Sequence, residues 1–376
     1  KKILPDICAS NDPSRPYWIS SPYGGSHPNS MDEGDRHSWD VWSNWGDYGR
    51  YLGDTGRFIS EFGFQAMPTW KTVLWYTAPE DRQILSPVIC SHNKMNEGME
   101  RLLKFLVGRL GLPKDLQSFV YLTQFNQAEA IKTGVEHWRM RKPATAGALY
   151  WQLNDCWPVA SWSCIDFFGR KKGLWYYSRR FFAPVLPVIR EEGDRLAFYA
   201  MSDFTEELDA SVRIAAYSLA GNKKYETKFT TRLKADGLTT VTTMNPHELG
   251  IGYSPRLLPV DGFCTTLPRE HNGELLDTVV YLELQIKGEV YRNYLVFDRF
   301  RNLNLQSVHI ETQVNGDIIT LRSDKPGFGV FVEPETDVDI SDNCLILEPG
   351  VPYELRCSGN PGRLELHSVH DLILRA

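Results

Sequence analysis

No stretch of the sequence approaches the run of about 18 apolar residues that a membrane-spanning helix requires. The opening KKILPDICAS lacks the apolar core of a secretory leader, so the chain as given reads as untargeted. Basic runs are equally scarce: the longest is GRKKG, and 41 Lys and Arg against 47 Asp and Glu leave a net charge of −6. Electrostatic attraction to nucleic acid or to an anionic membrane is therefore excluded as the main interaction, and a neutral substrate fits better. The seven cysteines, Cys8, Cys90, Cys156, Cys164, Cys264, Cys344 and Cys357, are odd in number and form no CxxC pair. That pattern argues against a disulfide framework and against a thiolate zinc site. No Asn-x-Ser/Thr acceptor occurs. Together these absences lead to the expectation of a reducing, cytoplasmic setting.

Tryptophan is missing from the second half. All 11 lie between Trp18 and Trp175, and the boundary falls at FFAPVLPVI, where two prolines interrupt regular structure. On the N-terminal side, YWISSP, DVWS, RFISEFGF and GALYWQLND read as four strands alternating with helical segments. In one of those segments Ala128, Ile131, Val135 and Trp138 recur along one face of a helix. Strands alternating with helices make parallel βαβ units, here half of a (β/α)8 barrel over residues 1–183. On the C-terminal side, DRLAFYAMS, ASVRIAAYS, DTVVYLELQI and SVHIETQVNGDIITLRS have the two-residue period of antiparallel strands. Asn315-Gly316 reads as a hairpin turn within them. The expected architecture is thus a multidomain α/β plus all-β chain. The half-barrel is followed by β-sandwiches over about 184–305 and 306–376, the join falling in DRFRNLNLQ.

In a parallel barrel, chemistry sits where each strand ends. The residues there are Ser20 and Ser21, then His37, Trp39 and Trp42, then Glu61, and finally Trp151, Gln152, Asn154 and Asp155. Tryptophan faces stack on the apolar face of a pyranose while carboxylates, amides and hydroxyls read its hydroxyl groups, so this set suits a sugar. The histidines have no HxH or HExxH spacing, which makes a metal the poorer reading. Glu61 raises the sharpest question, because a glutamate among Phe58, Ile59, Phe62 and Phe64 is costly to bury unless it is paired or opens into a pocket. Trp151 is also of a type that fills a core, Asn154 and Asp155 are common turn residues, and the RKK of Arg170 to Lys172 reads as a solvated turn.

RFISEFGFQAMPTW followed by LYWQLNDCWPVASW, and preceded by DPSRPYWISSP and GDRHSWDVW, resembles the β-mannosidases of glycoside hydrolase family 2. The resemblance continues through FFAPV and ISDNCLILEPG, over nearly the whole chain. It implies barrel strands five to eight followed by two immunoglobulin-like sandwiches that act as structural supports. It also implies a retaining exo-β-mannosidase with no cofactor and a β-mannoside oligosaccharide as substrate. By the same resemblance Glu61 is the nucleophile, and Trp151, Trp39, His37, His92, Asn154 and Asp155 are candidates for substrate contact. Ser38 departs from the family pattern, in which an aromatic residue commonly stands between the equivalents of His37 and Trp39. The acid/base, expected in an Asn-Glu pair at the end of the fourth strand, does not fall in this chain. The one Asn-Glu pair present, Asn96-Glu97, lies downstream and reads as a helix start. The expectation is therefore a portion of a longer polypeptide, whose missing N-terminal part is its partner and whose uncovered barrel edge disfavours monodispersity. An extracellular or lysosome-like compartment remains open for the full-length protein. The alternatives are another family 2 specificity, such as β-galactosidase or exo-glucosaminidase, and a non-catalytic carbohydrate-binding fragment.

Overall fold

A computed structural model describes residues 2–27, 30–252 and 273–374, and Cys264 lies outside them. After an exposed helix α1 (Ile3–Asn11), three strands form a parallel sheet in the order β1 (Arg36–Ser38), β2 (Ile59–Phe62), β3 (Ala148–Tyr150). The central strand buries Ile59 and Phe62 completely. Between β2 and β3 come α2 (Trp70–Tyr76), α3 (Pro87–Ser91), α4 (Gly98–Arg109) and the long α5 (Leu116–Met140), and α6 (Gly173–Phe181) follows β3. Helix α5 starts where Asp115 accepts the Ser118 backbone N–H at 2.7 Å. Its periodic face packs on the sheet, with Trp138 edge-on to Phe62 at 4.6 Å and to Tyr51 at 5.4 Å. Burying a side chain the size of Phe62 contributes on the order of 2–3 kcal/mol.

Three strands form among the described residues of this part where four were expected, and two of them lie within the expected segments. YWISSP is in no strand, and Tyr17, Trp18 and Ile19 are exposed; an extended run gains little without a sheet neighbour for its backbone groups. DVWS is a turn, and the strand lies earlier, at Arg36–Ser38, because pairing with β2 sets the register. Val41 and Trp42 are buried nonetheless, Trp42 stacking on Phe105 at 5.3 Å. Beneath β1, the buried Arg36 is held by Asp40 at 2.9 Å and Asp54 at 3.4 Å.

The rest of the described chain is antiparallel. Strands β4 (Val185–Glu192), β5 (Arg195–Ser202) and β8 (Gly237–Met244) face a second sheet of β10 (Glu289–Val296), β9 (Thr278–Ile286), β6 (Leu208–Ser218) and β7 (Lys223–Leu233). Val185, Phe198, Ile214 and Leu282 fill the space between. Next, β11 (Ile310–Asn315), β12 (Ile318–Ser323) and β15 (Tyr353–Arg356) pack over β14 (Leu345–Leu347), β13 (Gly327–Pro334) and β16 (Leu364–His367) around Leu321, Val330 and Leu355. The expected hairpin is present one residue along: Asn315 pairs with Ile318, so the turn is Gly316-Asp317, with Gly316 at φ 63°. A positive φ at the first turn position alone is the pattern of a type II′ turn. No helix among the described residues is long and apolar enough to cross a membrane.

Both sandwiches brace α5. Tyr294 donates to the buried Glu129 at 2.7 Å, Asn293 donates to Glu136 at 2.7 Å, and Arg180 of α6 donates to Asp342 at 2.6 Å. Phe125 lies under Gly329, where φ is +52° and a Cβ would come within 2.8 Å of its ring. On β13, burial raises the Glu333 carboxyl from its ordinary 4.5 to about 7, against the opposing pull of Lys71 and a hydrogen bond from Tyr121 of α5; Glu365 adds to the rise. A carboxyl whose folded pKa is raised stabilises the protein fully below pH 4.5 and loses that contribution as pH rises through 7. Glu333→Gln is therefore expected to remove about 1–3 kcal/mol of the fall in stability between those pH values, measured as urea midpoints at pH 4.5 and 7.5. An unchanged slope would refute it.

Candidate active site

Glu61 stands on β2 directly beside His37 of β1. In a strand successive side chains alternate between faces, so His37 and Trp39 share a face and Ser38 takes the other. Trp39 Nε1–H donates to Glu61 Oε2 at 3.1 Å, and His37 Nδ1 lies 3.1 Å from the same oxygen. Ser38 turns into the core and donates to Asp54 at 2.8 Å. The absence of an aromatic residue at position 38 therefore leaves the contacts to Glu61 to the two residues flanking it. Glu61 Oε1 has no hydrogen-bond partner among the described residues, and the side chain is 28% exposed. A partly solvated carboxylate with one oxygen held and the other free explains how a glutamate occupies this aromatic strand.

Gly63 admits the aromatic wall around it. A Cβ there would stand 2.4 Å from the Trp151 carbonyl oxygen and 3.0 Å from the rings of Trp162 and Trp39. Trp39 and Trp162 meet edge to face at 6.0 Å. The Trp151 N–H donates to Phe62 O at 2.7 Å, continuing the ladder past β3, and the residue is 44% exposed. Trp162 was missed in the sequence although it closes the quoted motif LYWQLNDCWPVASW; only the fold returns it to Gly63.

The remaining candidates divide. Asn154 is exposed, and its carbonyl accepts from the Gln152 side chain at 2.8 Å. Asp155 is 5% exposed and accepts from Ser161 at 2.8 Å, Ser163 at 2.5 Å and Lys94 at 3.0 Å. Its partners are the protein's own, so the geometry gives it a role in holding the loop after β3. The same loop is held by Lys172, whose ammonium donates to Ala66 O at 3.2 Å and Ser161 O at 3.3 Å. This corrects the reading of RKK as a solvated turn: Lys171 points out to Asp339, whereas Lys172 is fully buried. Burial pushes the Lys172 ammonium down to about 8, with Asp155 and Asp166 opposing the fall. His92 is half-buried, its Nδ1 2.6 Å from Pro158 O and its ring stacked on Tyr76 at 3.9 Å. Ser20 and Ser21 lie in the exposed N-terminal segment, Ser20 donating to Pro22 O and Ser21 to Asp35. Trp42 is core. Glu97 takes the N-cap position of α4 without a side-chain capping bond, its side chain 66% exposed and 3.6 Å from Arg101.

The β-D-mannosidase structure from Dictyoglomus thermophilum superposes with a TM-score of 0.84 at 31% identity, covering 98% of this chain and 44% of that one. Beta-mannosidase B of Aspergillus terreus is 38% identical over 381 residues, 96% of this chain and 43% of that protein. This chain belongs to the β-mannosidases of glycoside hydrolase family 2. Beta-mannosidase B of Aspergillus clavatus is 30% identical over 387 residues. Residues 194–302 match the Mannosidase Ig/CBM-like domain and residues 300–372 the Ig-fold domain, so both sandwiches are immunoglobulin-like. An exo-chitosanase from Amycolatopsis orientalis shares the fold, with a TM-score of 0.64 at 16% identity over 90% of this chain and 46% of that one. The chain spans less than half the length of the β-mannosidases it matches.

Proposed function

We propose that the polypeptide containing this chain is a retaining exo-β-mannosidase that removes terminal non-reducing β-D-mannose, with Glu61 as its nucleophile. In this reading β1, β2 and β3 are strands of a (β/α)8 barrel, and Glu61 stands near the C-terminal end of one of them, where such barrels carry their chemistry. The observation that carries the reading is the asymmetry of its carboxylate. Trp39 and His37 both address Oε2, which fixes the side chain and leaves Oε1 to attack the anomeric carbon. Attack forms a glycosyl-enzyme as the glycosidic bond breaks, and water then hydrolyses it with net retention. Trp151 and Trp39 wall the sugar, with His37, His92 and Asn154 as candidates for its hydroxyl groups.

Retaining hydrolysis also needs a protonated carboxyl about 5 to 5.5 Å from the nucleophile. The sheet neighbours of Glu61 are an imidazole and an indole, and Glu97 sits on the surface. In this reading, as in the family resemblance, the acid/base is supplied by the portion of the relatives' length that this chain does not match. The test is intact mass spectrometry and peptide mapping of the complete polypeptide after treatment with 2-deoxy-2-fluoro-β-mannosyl fluoride, whose 2-fluorine slows release of the intermediate. One adduct, on Glu61, is the expected result. An adduct on another carboxylate, or none on folded protein, would overturn the assignment.

A further inference from the structure

We propose that Trp157, backed by His92 and Tyr76, is the stacking platform for the leaving-group sugar, the second pyranose of a β-mannoside oligosaccharide. The inference rests on the β-mannosidase reading above and adds to it a determinant of aglycone preference. Tyr76 and His92 stack almost parallel, with ring centroids 3.9 Å apart and planes 3° apart; His92 and Trp157 lie 5.5 Å apart at 43°. Pro158 O can only accept, so the 2.6 Å contact places the proton on His92 Nδ1 and fixes the imidazole plane beside the residue adjoining Trp157. The stacked pair thus backs the tilted ring of Trp157, a residue that is still 36% exposed. A large aromatic ring ordered in advance and left open is suited to the apolar face of a pyranose, because little side-chain entropy is lost on binding.

Its position relative to Glu61 follows from the chain path. Trp157 lies in the segment after β3, and Tyr76 and His92 lie in the connection that leaves β2, so both segments emerge from the strand ends that carry Glu61 and Trp151. They are laced together by backbone hydrogen bonds. Ala160 N–H donates to His92 O at 2.8 Å, and Lys94 N–H to Ala160 O at 3.1 Å. Ala66 and Ser161 exchange two bonds, at 2.9 and 3.1 Å. The strand end carrying Glu61 thus continues, through Ala66, into the loop that presents Trp157. Trp151, six residues before it on the same loop, walls the terminal sugar in the reading above, and the next sugar is assigned to Trp157.

The experiment uses the complete polypeptide and compares β-linked mannobiose with β-mannosyl fluoride, whose leaving group has no ring to stack. For Trp157→Ala, the ratio of kcat/KM for mannobiose to kcat/KM for the fluoride is expected to fall about tenfold, chiefly through KM for mannobiose. Trp157→Phe should recover most of it. Parallel losses on the two substrates would assign Trp157 to the support of the whole site and overturn the proposal, as would an unchanged ratio, the result if protein covers this ring. A wild-type polypeptide that cleaves neither substrate overturns the β-mannosidase reading and this proposal with it.

Discussion

Glu61→Gln in the complete polypeptide is expected to lower kcat/KM for β-mannosides by at least about 10⁴-fold, the scale of losing a covalent nucleophile. The amide matches the carboxylate in size, and its carbonyl oxygen can still accept from Trp39 Nε1. The change therefore removes the attacking charge while keeping the side chain's place in the sheet. Thermal stability should be nearly unchanged, and that separates a catalytic glutamate from a structural one, for which activity and stability would fall together. Glu61→Ala gives a second, chemical readout. It empties the space beneath the anomeric carbon, and azide entering there should form an α-mannosyl azide from an activated β-mannoside, with inversion because only one displacement occurs. A β-configured product, or a rate unmoved by azide with Glu61→Gln fully active, would remove Glu61 from the mechanism.

How much of this site is legible in the sequence depends on how far each residue's partners lie along the chain. Glu61 stands out unaided, because a carboxylate within RFISEFGF needs an explanation wherever the strand is placed. His37 and Trp39 were named because they flank an expected strand end and match the family motif, and the turning aside of Ser38 became readable only once the strand was placed. The exact strand does not follow: apolar DVWS looked the better candidate, and pairing with Ile59–Phe62 selected RHS instead. The sandwich strands were legible from their two-residue period, and the hairpin was displaced by one residue because Gly316, not Asn315, takes the positive φ. Lys172 was misread because local composition suggests a solvated turn, whereas its partners Ala66 and Ser161 are assembled by the fold. Asp155 was read as a candidate sugar contact or a turn residue, and the partners that tie it into its loop, Lys94, Ser161 and Ser163, are likewise brought to it by the fold.

Asp155→Ala should show what that assembly is worth. Removing one member of a buried charge cluster costs about 3–5 kcal/mol, because the remaining charges stay buried and uncompensated. Here two cations are left, Lys94, which loses its 3.0 Å contact, and Lys172, which loses the carboxylate that most strongly holds up its pKa. Ser161 and Ser163 also lose their acceptor, which frees the loop that sets Trp162 against Gly63 and Trp39. Activity should therefore fall with stability. The pH dependence gives an independent check. Lys172 titrates near 8 in the fold against an ordinary 10.5, so between those values the unfolded chain binds more protons and this group makes stability rise with pH. Without Asp155 the folded value drops further, and the rise should begin at lower pH, with Asp166 as the remaining carboxylate that opposes the drop. Urea unfolding of the variant from pH 6 to 10 measures both effects. If Asp155 instead touched the sugar, the variant would keep wild-type stability and lose only KM, a result that would return it to the substrate contacts and leave the loop to Lys172 alone.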